Sequence, residues 1–139
     1  MQQLGAGTIV YGNDVETLAY DWGNIKIVSA PDVTGGTSMT FGLVVLNPGK
    51  GHDRHAHGAD EVIYVVSGEG EQMVDDQPPV HVRPGAAIYI PKGVVHSTIN
   101  VGWEPMRLVV VYVPSGAEME LRADPGVQIL PPGAWPDGQ

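Results

Sequence analysis

The chain has no cysteine, a single phenylalanine and only seven leucines in 139 residues, and it is poor in bases, with seven Lys and Arg against 16 Asp and Glu. Each shortage excludes something. Without cysteine there is no disulfide framework, no thiolate nucleophile and no thiolate-rich zinc site. A formal net charge of −9, with no run of Lys or Arg, argues against nucleic acid, whose binding rests on neutralising phosphates. The missing basic patch, and the absence of any apolar stretch near ~18 residues, argue equally against a membrane surface or span. No charged segment followed by an apolar one opens the chain, so no secretory signal is visible and the cytoplasm is the expected location.

What is plentiful points to strands. The 19 Gly and 12 Pro are helix breakers, and 20 Val and 8 Ile against 7 Leu suit a pleated surface. At 42% apolar and 17% charged the composition is globular, and the length fits one domain, 1–139. Asn24 to Ser29 reads as an edge or swapped strand. Further strands are expected at Met39 to Leu46, Glu61 to Val66, Gly70 to Val74, Val80 to Arg83, Ala86 to Ile90, Val95 to Val101 and Arg107 to Val113. Turn residues recur about every 8 to 12 positions, the cadence of an all-β sandwich or small barrel. Only Gly116 to Arg122 has room for a short helix, and Pro125 to Gln139 reads as an extended arm.

Five histidines stand out, at 52, 55, 57, 81 and 96. His55 and His57 are two apart, so on a strand both rings face one side. Glu61 has the same parity, and His96 reaches the same point if the sheet curls. Three imidazoles and a carboxylate suit a borderline divalent metal. His52 reads as either a solvated loop residue or one at a cavity mouth, and His81 as solvent-facing. Asp75-Asp76 reads as a solvated turn, and Gly68-Glu69-Gly70 starts like a dinucleotide loop but lacks the third glycine and precedes a strand.

These residues fall into a known pattern. Gly49, His55, His57, Glu61 and Gly68 match GxxxxxHxHxxxExxxxxxG, and Gly85, Pro91, Gly93, His96 and Asn100 match GxxxxxPxGxxHxxxN. The product of the ten residue frequencies is on the order of 10⁻¹² for a given register. The pair resembles the two motifs of the cupin superfamily, in a small monocupin. The resemblance implies an all-β, double-stranded β-helix or jelly-roll β-barrel, with a core about 24–113, an N-terminal strand or arm 1–23 and a C-terminal arm 114–139. It also implies a homodimer and one divalent transition metal per chain (Fe, Mn, Ni, Co, Zn or Cu) held by His55, His57, Glu61 and His96. The alternative for those four is a satisfied polar cluster in a barrel without metal.

Asn100 shares parity with His96, and either lines the cavity or ties down a neighbouring loop. Phe41, Met73, Tyr89, Met106, Tyr112 and Trp103 are the bulky candidates to wall a cavity or simply to pack. Of these, Phe41, Met73, Tyr89 and Met106, with Asn100, are the expected substrate pocket. Ile63 and Val65 follow Glu61 with its parity, so the cavity is expected to be apolar, with a small organic molecule as partner. Four ligands leave two positions open on an octahedral ion, as a catalyst needs. The leading expectation is a metal-dependent, dioxygenase-type enzyme acting on an enolic, diketone or phenolic compound, with Glu61 as ligand and, if it swings free, as base. A redox-neutral cyclase or isomerase, and a non-catalytic ligand-binding or sensor cupin, are the alternatives.

Overall fold

Branched aliphatic residues alternate with small or polar ones along most of the chain, and in the computed structural model, which describes residues 1–134, these stretches are strands. In chain order they are β1 (Gln2–Leu4), β2 (Gly7–Ile9), β3 (Thr17–Tyr20), β4 (Gly23–Ser29), β5 (Thr40–Leu46), β6 (Asp60–Ser67) and β7 (Gly70–Val74). There follow β8 (Val80–Val82), β9 (Ala87–Ile90), β10 (His96–Asn100), β11 (Met106–Val113), a short helix α1 (Glu118–Ala123) and β12 (Gln128–Leu130). The first two form a small exposed hairpin. The rest make a seven-stranded sheet, β12-β3-β4-β5-β11-β6-β9, and a three-stranded sheet, β10-β7-β8, antiparallel throughout. The all-β expectation holds.

Alternation decides which face is buried. Along β6, Glu61, Ile63 and Val65 turn inward while Val62, Tyr64 and Val66 stay exposed. Each inward residue is paired across β11, Glu61 with Tyr112, Ile63 with Val110 and Val65 with Leu108. Leu18, Ile25, Val44 and Leu46 complete this inner face. The Pro48–Gly58 region is not a regular strand, yet it lies along β10. Gly49 N donates to Asn100 O, Asn100 N to Lys50 O, and His55 and His96 exchange a reciprocal pair of backbone bonds. The three-stranded sheet thereby gains a fourth, irregular edge.

Two expectations are corrected. The segment read as an edge or swapped strand is β4, which lies inside the large sheet between β3 and β5. Its one outward charge is accommodated because Lys26 Nζ donates to Thr17 Oγ1 and the Val15 carbonyl, at 2.6 and 3.4 Å. The C-terminal segment is also more than an arm. β3 and β12 extend the sheet, and Leu18 and Leu121 belong to the core. The last five residues of the expected C-terminal arm, 135–139, lie outside the described part. No helix among the described residues is long and apolar enough to cross a membrane.

The motif glycines are set by backbone geometry. Gly49, Gly68, Gly85 and Gly93 have φ of 76°, 85°, 97° and 79°, where a side chain is strained. Gly68 is constrained twice, since a Cβ there would stand 2.9 Å from Met106 Cα.

Candidate metal centre

The site is assembled from three places. β6 begins at Asp60 and points Glu61 inward, while β10 opens with His96 in the three-stranded sheet. His55 and His57 come from the irregular edge, where sequence alone cannot fix side-chain direction. Two sets of bonds fix it. The His55–His96 backbone pair (3.1 and 2.9 Å) registers one ring against the other, and Gly93 N donates to His57 O at 2.9 Å. Lys92 N donates to Asp60 Oδ1 at 2.8 Å beside it. The Pro91–Gly93 turn of the second motif thus clamps the ligand loop of the first, which gives its proline and glycine a physical role.

One ring nitrogen from each of His55, His57 and His96 lies within 4.8 Å of the others. Glu61 Oε1 is 2.9 Å from His96 Nε2 and 3.5 Å from His57 Nε2. The opposite ring nitrogens face acceptors: His55 Nδ1 the Asp53 carbonyl (2.5 Å), His96 Nδ1 the Val94 carbonyl (2.9 Å) and His57 Nδ1 the Glu120 carboxylate (3.4 Å). A ring that donates Nδ1–H presents a lone pair at Nε2, the form in which imidazole binds metal. All three rings have such an acceptor at Nδ1, which leaves Nε2 for an ion when one is bound.

Two observations test whether a cation fits. His57 Nε2 is buried without a hydrogen-bond partner among the described residues, a costly orphan that a metal would satisfy. Glu61 is buried, only 4% exposed, with no Lys or Arg paired to it among the described residues. A proton has to lie between it and His96 Nε2, in the position a divalent ion would take over. The donor set, three nitrogens and one oxygen, fits such an ion.

The electrostatics follow. Burial first, then the neighbouring His52, drives the His55 imidazole down to about 3, so it is neutral at pH 7. His52 is also lowered, by burial and by His57. Burial pulls against His96 as well, but its hydrogen bonds to Glu61 and Val94 outweigh that and its pKa rises. Burial raises the Tyr112 phenol far above its usual range, with Glu61 adding to it.

The three imidazoles and the carboxylate adjoin a narrow cleft that opens to the surface. His55, Glu61 and His96 line it together with Trp22, His52, Thr98, Tyr112 and a wall of Ile25, Val44, Leu46, Ile63, Leu108, Val110 and Leu121. No Lys or Arg is among them. The expected apolar character is there, but the five side chains expected to form the pocket are elsewhere. Phe41 has the parity of Leu43 and Val45, which face the outer groove of the large sheet. Met73 lies in an outer cleft beside Ser97 and Ile99, and Tyr89 is 61% exposed. Met106 is fully buried against Gly68 and Gly70. Asn100 ties down a loop: Nδ2 donates to the Leu46 and Glu104 carbonyls, and Oδ1 accepts from Gly102 N.

Sequence reasoning missed Trp22 and Leu121, which lie far from either motif in the chain. His52 proves to be at the cavity wall and half-buried, whereas His81 is exposed beside Glu69. Trp103, another bulky candidate, is 89% exposed.

Comparison with known proteins agrees with this architecture. The family model of the cupin domain matches residues 42–112, just over half of the chain. The protein is a cupin. Among its relatives, protein SchB of Streptomyces halstedii is 34% identical over 102 residues, 73% of either chain. Polyketide synthase CurC of Streptomyces cyaneus is 32% identical over 88 residues, 63% of this cupin and 56% of CurC. In three dimensions the cupin resembles a predicted oxalate decarboxylase from Thermotoga maritima, with a TM-score of 0.67 over 77% of this chain and 99% of that one. At 18% identity that likeness speaks for the fold, a double-stranded β-helix, and not for the reaction.

Proposed function

We propose that this cupin is a metal-dependent enzyme acting on a small enolic, diketone or phenolic substrate, with His55, His57, Glu61 and His96 holding one divalent transition metal. The observation that carries the reading is the convergence of three imidazole nitrogens and a buried carboxylate on a cleft walled by aliphatic and aromatic side chains. When bound, the ion supplies a Lewis acid for a chelating enolate and, if redox-active, a route to reaction with dioxygen. The chain supplies the rest. Ile25, Val44, Ile63 and Leu108 exclude water and favour a flat apolar body over a dianion, for which the lining has no cationic side chain. Glu61, if it swings off the ion, is the group placed to take the proton of an enol or phenol.

Oxygen-dependent cleavage or oxidation is the leading reaction. A redox-neutral cyclisation is the second reading, favoured by the likeness to a protein named as a polyketide synthase. Fe(II)- and Mn(II)-loaded protein, incubated with acetylacetone, catechol and 2-hydroxynaphthoquinone, separates the two. Oxygen uptake with oxygenated products by mass spectrometry is expected. Product formed equally well without oxygen would shift the assignment to the cyclase, and tight binding with no turnover of any enolic or phenolic probe would leave a ligand-binding cupin. His55→Ala or His96→Ala should abolish most metal content. Wild-type metal near zero by elemental analysis under every loading condition would overturn the metal assignment itself.

A further inference from the structure

The ligand His55 is half-buried on an irregular loop, and one face of its ring is covered by a run of aromatic groups from distant parts of the chain. Tyr20 and Trp22 stack at 4.6 Å with 9° between planes, Trp22 and His52 at 4.9 Å and 24°, and the His52 ring centre lies 3.9 Å from that of His55, tilted by 36°. We infer that Tyr20, Trp22 and His52 form a stacked platform that sets the plane of the His55 ring, so that His52 is a positioning residue for a metal ligand and not itself a ligand.

The geometry supports this in three ways. The stack is anchored at its outer end, where Tyr20 Oη donates to the Leu121 carbonyl at 2.6 Å. It carries none of the converging nitrogens, since the cluster that lies within 4.8 Å comprises His55, His57 and His96 and leaves His52 out. Lastly, besides the His57 and His96 rings of the cluster itself, at 4.6 and 4.4 Å, the His55 ring is held by the Asp53 carbonyl contact at Nδ1 and by His52. The hydrogen bond fixes one edge of the ring, and the close His52 ring limits its tilt about that bond.

The same two residues separate two spaces. Trp22 and His52 line both the metal cleft and an outer cleft bounded by Lys50, Arg54, Met73 and Ser97. The platform is therefore also the partition between the metal and that surface. Its loss should loosen the ligand and open a second path for solvent and chelators.

The inference rests on the metal-site reading above, and the test keeps the two apart. Co(II) is titrated into the wild type and into His52→Phe, His52→Ala and Trp22→Ala, each first checked for a cooperative thermal transition. Affinity, the visible ligand-field spectrum and the rate of Co(II) extraction by EDTA are recorded. Expected is a loss of about 10- to 100-fold in affinity for His52→Ala and Trp22→Ala, with a shifted spectrum and faster extraction. His52→Phe, which keeps a flat ring, should stay near the wild type in all three. Alanine variants indistinguishable from the wild type would overturn the platform. So would a His52→Phe protein as impaired as His52→Ala, because the imidazole nitrogen and not the ring face would then be at work. A wild type that binds no Co(II) would fail the metal reading before the variants are compared.

Discussion

Asn100 illustrates how far a single residue can be read. Its place in the second motif and its parity with His96 left two roles open, lining the cavity or fastening a loop. Its three hydrogen bonds, 2.7 to 3.0 Å long, decide for the second. All run to backbone groups, and the side chain is fully buried. Asn100→Ala would strand the Leu46 and Glu104 carbonyls and the Gly102 amide, so a loss of about 2 to 4 kcal/mol is expected in urea unfolding. Metal stoichiometry of the folded variant should stay at the wild-type value, and a variant of full stability that lost its metal would reverse the assignment. The gathering of His55, His57 and His96 was legible because each motif fixes residue types and spacing over a short stretch. The pocket walls were not, because facing a cavity depends on a strand's phase relative to its neighbours. Phe41 and Val44, three apart on β5, end on opposite faces for that reason.

At the scale of elements, most strands were legible from Val and Ile content and from turn residues, with ends shifted by at most one position. What escaped was the contribution of both termini. β3 and β12 are short and weakly patterned, and they exist as strands because each finds a partner across a long stretch of chain. α1 is similar, being six residues long and too short to persist alone. It is held by docking. Leu121 is buried in the core and at the cleft, Thr40 Oγ1 donates to the buried Glu118 at 3.0 Å, and Arg122 pairs with Glu16. Leu121→Ala should cost about 2 to 5 kcal/mol, whereas Met119→Ala, on the 59% exposed side, should stay within about 0.5 kcal/mol. Comparable effects of the two on thermal stability would mean that the helix is not seated through Leu121.

The whole molecule has a pH response that follows from its imidazoles. In the metal-free protein His55 titrates at about 3 and His52 below its usual value, both mainly through burial, while in the unfolded chain each takes up its proton near the ordinary histidine pKa of 6.5. Between those limits the unfolded state binds more protons, so stability falls as pH drops. Each such histidine gives a slope of up to about 1.4 kcal/mol per pH unit. His96 has the opposite sign. Raised by Glu61 and Val94, it contributes stability that is complete below 6.5 and fades as pH climbs through its folded value, so it adds nothing to the acid slope. The metal-free protein should thus lose thermal stability steadily from pH 6.5 toward 3. A divalent ion should raise Tm at pH 7 through its preference for the folded state, and the gain should vanish in acid as protons displace it from the imidazoles. Differential scanning calorimetry with and without Co(II), from pH 7.5 to 4, checks both. A metal-free Tm flat across that range would show that His52 and His55 take up protons freely in the folded state, and that the cleft is more open to water than its packing implies.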